Sequence, residues 1–290
     1  MKTRYSFVTI LLLLLFTAAS ECQINYGSNE QVGRDAAVNG IKVYYEVYGA
    51  GEPLLLLHGN GGSIQNFLYQ IPELSKHFKV IAVDSRAQGK STDSDKEITY
   101  ALMASDMSAL IDTLKLGSVD VVGWSDGGDV GLELALAHPE QVKKLVTFGA
   151  NYTHEDFMAL PDKVTMETTD PRILKAAPLV KKYKEGMDKL SPEVRKKLSD
   201  LTEKYPNLTV EQLKQIQVPV LVVAGDRDAI NLDQTITLFT SLPHSQLFIV
   251  PGASHLAPIE QSESVNSEVI KFLSTPYHDL DRYYWVSLVK

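Results

Sequence analysis

The chain has 290 residues, 44% of them hydrophobic, enough for one large domain with a sizeable core. Its formal net charge is −8 and its pI near 5.4, so it lacks the excess of Lys and Arg that binding to phosphates needs. This composition excludes fibrous and disordered classes and speaks against a nucleic-acid partner, which leaves an acidic globular protein acting on something small.

The opening MKTRYSFVTILLLLLFTAASECQ places Lys2 and Arg4 ahead of an apolar run from Phe7 to Phe16, followed by small residues. That is the layout of a secretory signal peptide, expected over residues 1–22, with cleavage after Ser20 or Cys22. The run is short for a permanent span, so export to the periplasm or medium is expected, without stable membrane insertion after cleavage. Cys22 is the only cysteine, which excludes an intramolecular disulfide. A lipid anchor on Cys22 is the lesser alternative, because Glu21 ill suits a lipoprotein cleavage site.

Apolar runs at Ile41–Val47, Pro53–Leu57, Val80–Val83, Val119–Trp124, Leu145–Phe148, Val218–Ala224 and Leu247–Val250 read as strands, mostly too continuous for a sheet with one wet face. Amphipathic segments of helical length lie between several of them, at Ile64–Phe78, Tyr100–Leu116, Val130–His138, Gln234–Leu242 and Ser262–Leu273. Strand alternating with helix predicts an α/β fold, a mostly parallel sheet with helices on both faces. In such sheets, sites gather beyond the carboxyl ends of the strands. From Asn151 to about Gln217 the rhythm breaks into helix-like pieces, one opening at Ser191-Pro192 and another at the capping box of Thr209 and Gln212. This stretch is expected to be a helical cap within a domain spanning 23–274. Its crowded lysines read as solvated helix faces. A tail over 275–290 carries Tyr283, Tyr284 and Trp285.

The stretch Gly123-Trp124-Ser125-Asp126-Gly127 fits the G-x-S-x-G pattern of a nucleophile placed where a strand turns sharply into a helix. Gly123 and Gly127 make room for the turn, and Gly128 lets the new helix lie close. A histidine must take the serine proton and a carboxylate must orient that histidine. His255, in Pro251-Gly252-Ala253-Ser254-His255, and the acids of Gly225-Asp226-Arg227-Asp228 both follow strands. Asp228 is favoured over Asp226 because it lies further along the loop, leaving Asp226 to shape the turn or pair with Arg227. The loop His58-Gly59-Asn60-Gly61-Gly62 follows the strand Pro53–Leu57 and supplies an oxyanion donor, assigned to the Asn60 N–H with Gly61 as the fallback. The second donor is the N–H of Asp126. His58 is expected to shape the loop.

With HGNGG, the DSRAQGKS stretch of Asp84–Ser91, GWSDGG, GDRD and PGASH in hand, the chain resembles the α/β-hydrolase superfamily. The resemblance implies a cap inserted between strands six and seven, the assignment of Asp228 as the triad acid, and no cofactor. GWSDGG with Phe148–Tyr152 resembles the valacyclovir hydrolase (biphenyl hydrolase-like) branch. That branch hydrolyses α-amino-acid esters, and in it the aspartate matching Asp126 holds the substrate ammonium. A carboxylate in a helix's first turn is also favoured by the helix dipole alone. The expected activity is serine-dependent hydrolysis of small carboxylic esters. Amino esters, lactones or carbon–carbon bonds are the alternatives, and a non-catalytic binding protein is the rival class. No residues show metal-ligand spacing, so no metal is expected.

Overall fold

Pro53 is followed by four leucines, and a strand of that composition needs apolar cover on both faces. The computed structural model of the chain describes residues 24–155, 170–279 and 283–289. The expected signal segment and Cys22 lie outside the described residues, as does part of the expected cap. An eight-stranded sheet contains β1 (Gly33–Val38), β2 (Ile41–Tyr48), β3 (Pro53–Leu57), β4 (Lys79–Val83), β5 (Val119–Trp124), β6 (Val142–Phe148), β7 (Val220–Arg227) and β8 (Ser245–Ser254). Its order is β1-β2-β4-β3-β5-β6-β7-β8. The β1–β2 and β2–β4 pairs are antiparallel and the remaining pairs parallel.

Ten α-helical segments are described: α1 (Ile71–Leu74), α2 (Tyr100–Thr113), α3 (Asp126–Ala137), α4 (Pro171–Lys189), α5 (Pro192–Lys204), α6 (Val210–Leu213), α7 (Leu232–Ser241), α8 (Ala257–Glu260), α9 (Ser262–Ser274) and α10 (Tyr284–Ser287). Side chains alternate across each strand, so β3 feeds two cores. Leu55 and Leu57 pack with α2 and α3 residues such as Met103 and Leu132. Leu54 and Leu56 pack on the other face with Phe67, Leu74 and Phe272. The fold class is the expected one.

The insertion between β6 and β7 carries α4, α5 and α6. Ser191 caps α5 by accepting a hydrogen bond from the Val194 N–H at 3.2 Å, with Pro192 in the first turn. Thr209 and Gln212 form the reciprocal capping box at α6. Two of the insertion's lysines depart from the expected solvated role. Lys197 pairs with Asp93 at 2.8 Å, and Lys175 lies 4.7 Å over the Tyr69 ring.

Two further expectations change. The sequence GRDAAV, which has no apolar run, forms β1, an edge strand held by its ladder to β2. The segment Ile64–Phe78 is not one helix but a short 3-10 turn, Ile64–Phe67, followed by α1. Asn66 turns its side chain back onto the Ser63 N–H at 2.7 Å, and Pro72 starts a new helical turn. The amphipathic spacing survives, since Ile64, Phe67, Ile71 and Leu74 all reach the core.

Candidate active site

The turn from β5 to α3 sets the geometry. Ser125 has φ +54°, a region non-glycine residues rarely occupy, and its N–H donates to the Phe148 carbonyl at 2.7 Å. Gly127 is required here because a Cβ on it would come within 2.0 Å of the Leu57 carbonyl oxygen. Ser125 is half-buried and borders a cavity of about 430 Å³. His255, Asp126 and Asn60 border the same cavity.

His255 follows β8, and its Nδ1 lies 2.7 Å from Asp228 Oδ1. The Asp228 side chain is 4% exposed, and Oδ1 also accepts the Ile230 N–H at 3.0 Å. The structure therefore brings Ser125, His255 and Asp228 to one corner. Asp226 goes elsewhere, accepting the Gly252 N–H at 2.8 Å and tying the β7 and β8 ends together. Two supports were not read from the sequence. Trp124 Nε1 donates to the His255 carbonyl at 3.0 Å, and Gly149, at φ +55°, makes space for the imidazole. A buried tryptophan beside the elbow serine was the available signal for the first, because a buried indole N–H needs an acceptor.

The loop after β3 is fixed from three sides. His58 is buried; its Nε2 accepts the Ser85 N–H at 3.0 Å, so Nδ1 carries the proton and donates to the Gly59 carbonyl at 2.8 Å. Burial pushes its pKa down to about 4, which keeps it a neutral strut. The Gly61 N–H is taken by Gln88 Oε1 at 2.6 Å, whereas the Asn60 N–H makes no hydrogen bond among the described residues. Gln88 belongs to the DSRAQGKS loop, which Arg86 anchors through two 2.7 Å bonds to Asp106. Asp84 ties the same loop to the Ile64 turn, accepting the N–H groups of Ile64 at 2.9 Å and Lys90 at 2.8 Å.

Asp126 is 4% exposed. Burial raises its pKa to about 6, while Asn60, Tyr100 and its own backbone N–H favour the ionised form. An oxyanion seated at that N–H would share the donor with the carboxylate. The remaining cavity wall is largely apolar, with Trp124, Leu179, Val180, Leu256 and Ile259 around Tyr183. No Lys or Arg lines it among the described residues. No group of His, Cys, Asp or Glu among those residues is arranged to hold a metal ion.

A sequence-family model of the alpha/beta hydrolase fold matches residues 52–180. The 2-hydroxy-6-oxo-6-(2'-aminophenyl)hexa-2,4-dienoic acid hydrolase of Metapseudomonas resinovorans is 27% identical over 84% of this chain and 91% of its own length. The serine hydrolase BPHL of Homo sapiens is 29% identical over 82% of this chain and 84% of its own. Among solved structures, the enol-lactonase of Burkholderia xenovorans LB400 superposes with a TM-score of 0.72 at 21% identity, covering 83% of this chain and all of the lactonase, a likeness of fold. With these comparisons and its sheet order, the chain has the α/β-hydrolase fold and is similar over most of its length to hydrolases of that superfamily.

Proposed function

We propose that the protein is a serine hydrolase of small carboxylic esters working through an acyl-enzyme. The supporting observation is that Ser125, held at positive φ, shares one cavity with a histidine whose Nδ1 is bound by the buried Asp228. With Nδ1–H donated to Asp228, the neutral imidazole has Nε2 as its acceptor, and it takes the Ser125 proton as Oγ attacks the ester carbonyl. The N–H groups of Asn60 and Asp126 receive the oxyanion. The imidazolium then protonates the departing alcohol, and water, deprotonated in turn by His255, releases the acid.

The cavity favours a neutral or cationic substrate. A dienoic acid, as named for the Metapseudomonas relative, carries a carboxylate at neutral pH, and the described lining offers it Asp126 and no Lys or Arg. Enol-lactones, as named for the structural neighbour, would need no change of mechanism. A second reading, hydrolysis of α-amino-acid esters, is favoured by the carboxylate of Asp126, a natural partner for an ammonium beside the nucleophile.

The test is turnover of p-nitrophenyl acetate, butyrate and a valine ester by mature protein and by Ser125→Ala, with labelling by a serine-reactive phosphonate. Turnover and labelling that both vanish in Ser125→Ala are expected, and Asp228→Asn should lose about 10³–10⁴-fold in kcat with the fold intact. A folded protein that neither labels nor turns over would favour a binding role. We also propose export directed by residues 1–22, checked by sequencing the mature amino terminus; an intact Met1 would overturn it.

A further inference from the structure

The side chain of Asn60 joins two parts of the molecule. An amide nitrogen carries two protons, and both have acceptors here. One hydrogen bond reaches Asp126 Oδ2 at 2.9 Å, and the other the Leu198 carbonyl at 3.2 Å. Asp126 is the residue after the elbow serine, and Leu198 is a buried residue of α5 in the insertion. A helical carbonyl keeps a second lone pair, so the bond to Leu198 leaves the helix intact. The insertion is thus linked through one side chain to the carboxylate beside the candidate nucleophile.

The surroundings of Asp126 show what this link controls. Its carboxylate accepts the Asn60 amide at 2.9 Å, and the Tyr100 hydroxyl beside it also favours the ionised form. Tyr100 is 2% exposed and does not border the cavity, whereas Asn60 does. Asp126 and Asn60 both border the cavity, so a ligand cation that takes Oδ2 competes with the Asn60 amide for it. Other contacts hold α5 in place meanwhile. Lys197 bonds Asp93 at 2.8 Å and the Ser94 carbonyl at 2.6 Å, and Lys204 bonds Glu97 at 2.8 Å. None of these groups lines the cavity.

We propose that the Asn60 side chain is a specificity latch: by binding Asp126 and the α5 backbone together, it occupies the carboxylate beside Ser125 and selects neutral acyl groups over α-ammonium acyl groups. The specificity half of this rests on the ester-hydrolase reading; the latch itself does not. An ammonium substrate seated on Asp126 Oδ2 breaks a hydrogen bond to a charged acceptor and loosens the cavity edge of α5, whereas a neutral ester binds with the latch closed.

The experiment compares p-nitrophenyl valinate with p-nitrophenyl 3-methylbutanoate, which lacks only the ammonium, in wild type and Asn60→Ala. The ratio of kcat/KM, amino over neutral, should rise about tenfold in Asn60→Ala, the size expected from releasing one charge-assisted hydrogen bond. It should return to the wild-type value in Asn60→Ala/Asp126→Asn. Without any substrate, amides of residues 192–204 should exchange hydrogen faster in Asn60→Ala than in wild type, while those of β7 stay unchanged. Asn60→Ser, too short to span both acceptors, should show the same shifts and serves if Asn60→Ala does not fold. An unchanged or lowered ratio would overturn the selection, and unchanged exchange in α5 would overturn the latch. If wild type cleaves neither ester in a Ser125-dependent manner, the ester reading fails, and the exchange measurement still decides whether the latch exists.

Discussion

His255 Nδ1 and Asp228 Oδ1 stand 2.7 Å apart, and the residue that lets them meet is Gly149. A Cβ at 149 would lie 2.7 Å from that same Nδ1 and 3.0 Å from Asp228 Oδ2, at a φ of +55° that a side chain resists. Gly149→Ala should therefore push the imidazole off its carboxylate. We expect kcat to fall at least about a hundredfold, because a 1 Å misplacement of a reacting group has that effect. Steady-state kinetics beside a thermal melt checks this, and a variant with wild-type kcat would show that the His–Asp contact is dispensable.

Arg86 and Asp106 form an ion pair with both side chains 0% exposed, beneath the loop that presents Gln88 to Gly61. Breaking such a pair from one side leaves a buried charge without its partner. Asp106→Ala should lose about 3–5 kcal/mol, while Arg86→Met/Asp106→Leu, with both charges gone, should recover much of that loss. Urea unfolding of the three proteins decides the matter; a double variant less stable than the single would mean the pair itself is strongly stabilising.

Ser125, His255, Asp228 and Asn60 were legible because each follows a strand, and in a parallel sheet strand ends converge whatever the intervening sequence. The choice of Asp228 over Asp226 rests on reach and on the family resemblance, and in the structure Asp226 is spent on the Gly252 N–H. The strand β1 has no apolar signature in the sequence because its stability comes from pairing with β2 rather than from its own side chains. The break at Ile64–Phe78 is not legible because periodicity reports which face is buried, not whether the backbone between is continuous. The Trp124, Gly149 and Asn60 contacts join residues far apart in the chain, and no local pattern encodes those pairings.

Buried carboxylates, Asp84, Asp120, Asp126 and Asp129 among them, make stability depend on pH in a direction opposite to the usual acid loss. Burial raises the pKa of Asp84 to about 7 and those of Asp120 and Asp126 to about 6. In an unfolded chain each would titrate near 3.9. Between about pH 4 and 7 the folded protein therefore holds protons that the unfolded chain has released, so stability falls as pH rises through this window. Each carboxylate contributes up to about 1.4 kcal/mol per pH unit between its unfolded and folded pKa. The carboxylates whose pKa is lowered, Asp170, Asp200 and Asp279 among them, titrate below the window, and His58, held neutral down to about 4 against about 6.5 when unfolded, opposes the decline but is outnumbered by the buried carboxylates. Urea midpoints at pH 5, 6 and 7, at constant ionic strength, should decline from the first to the third. Asp126→Asn should flatten the decline between pH 5 and 6, since the amide has no proton to release. A midpoint that rises from pH 5 to 7 would mean that these carboxylates are not held protonated by their burial.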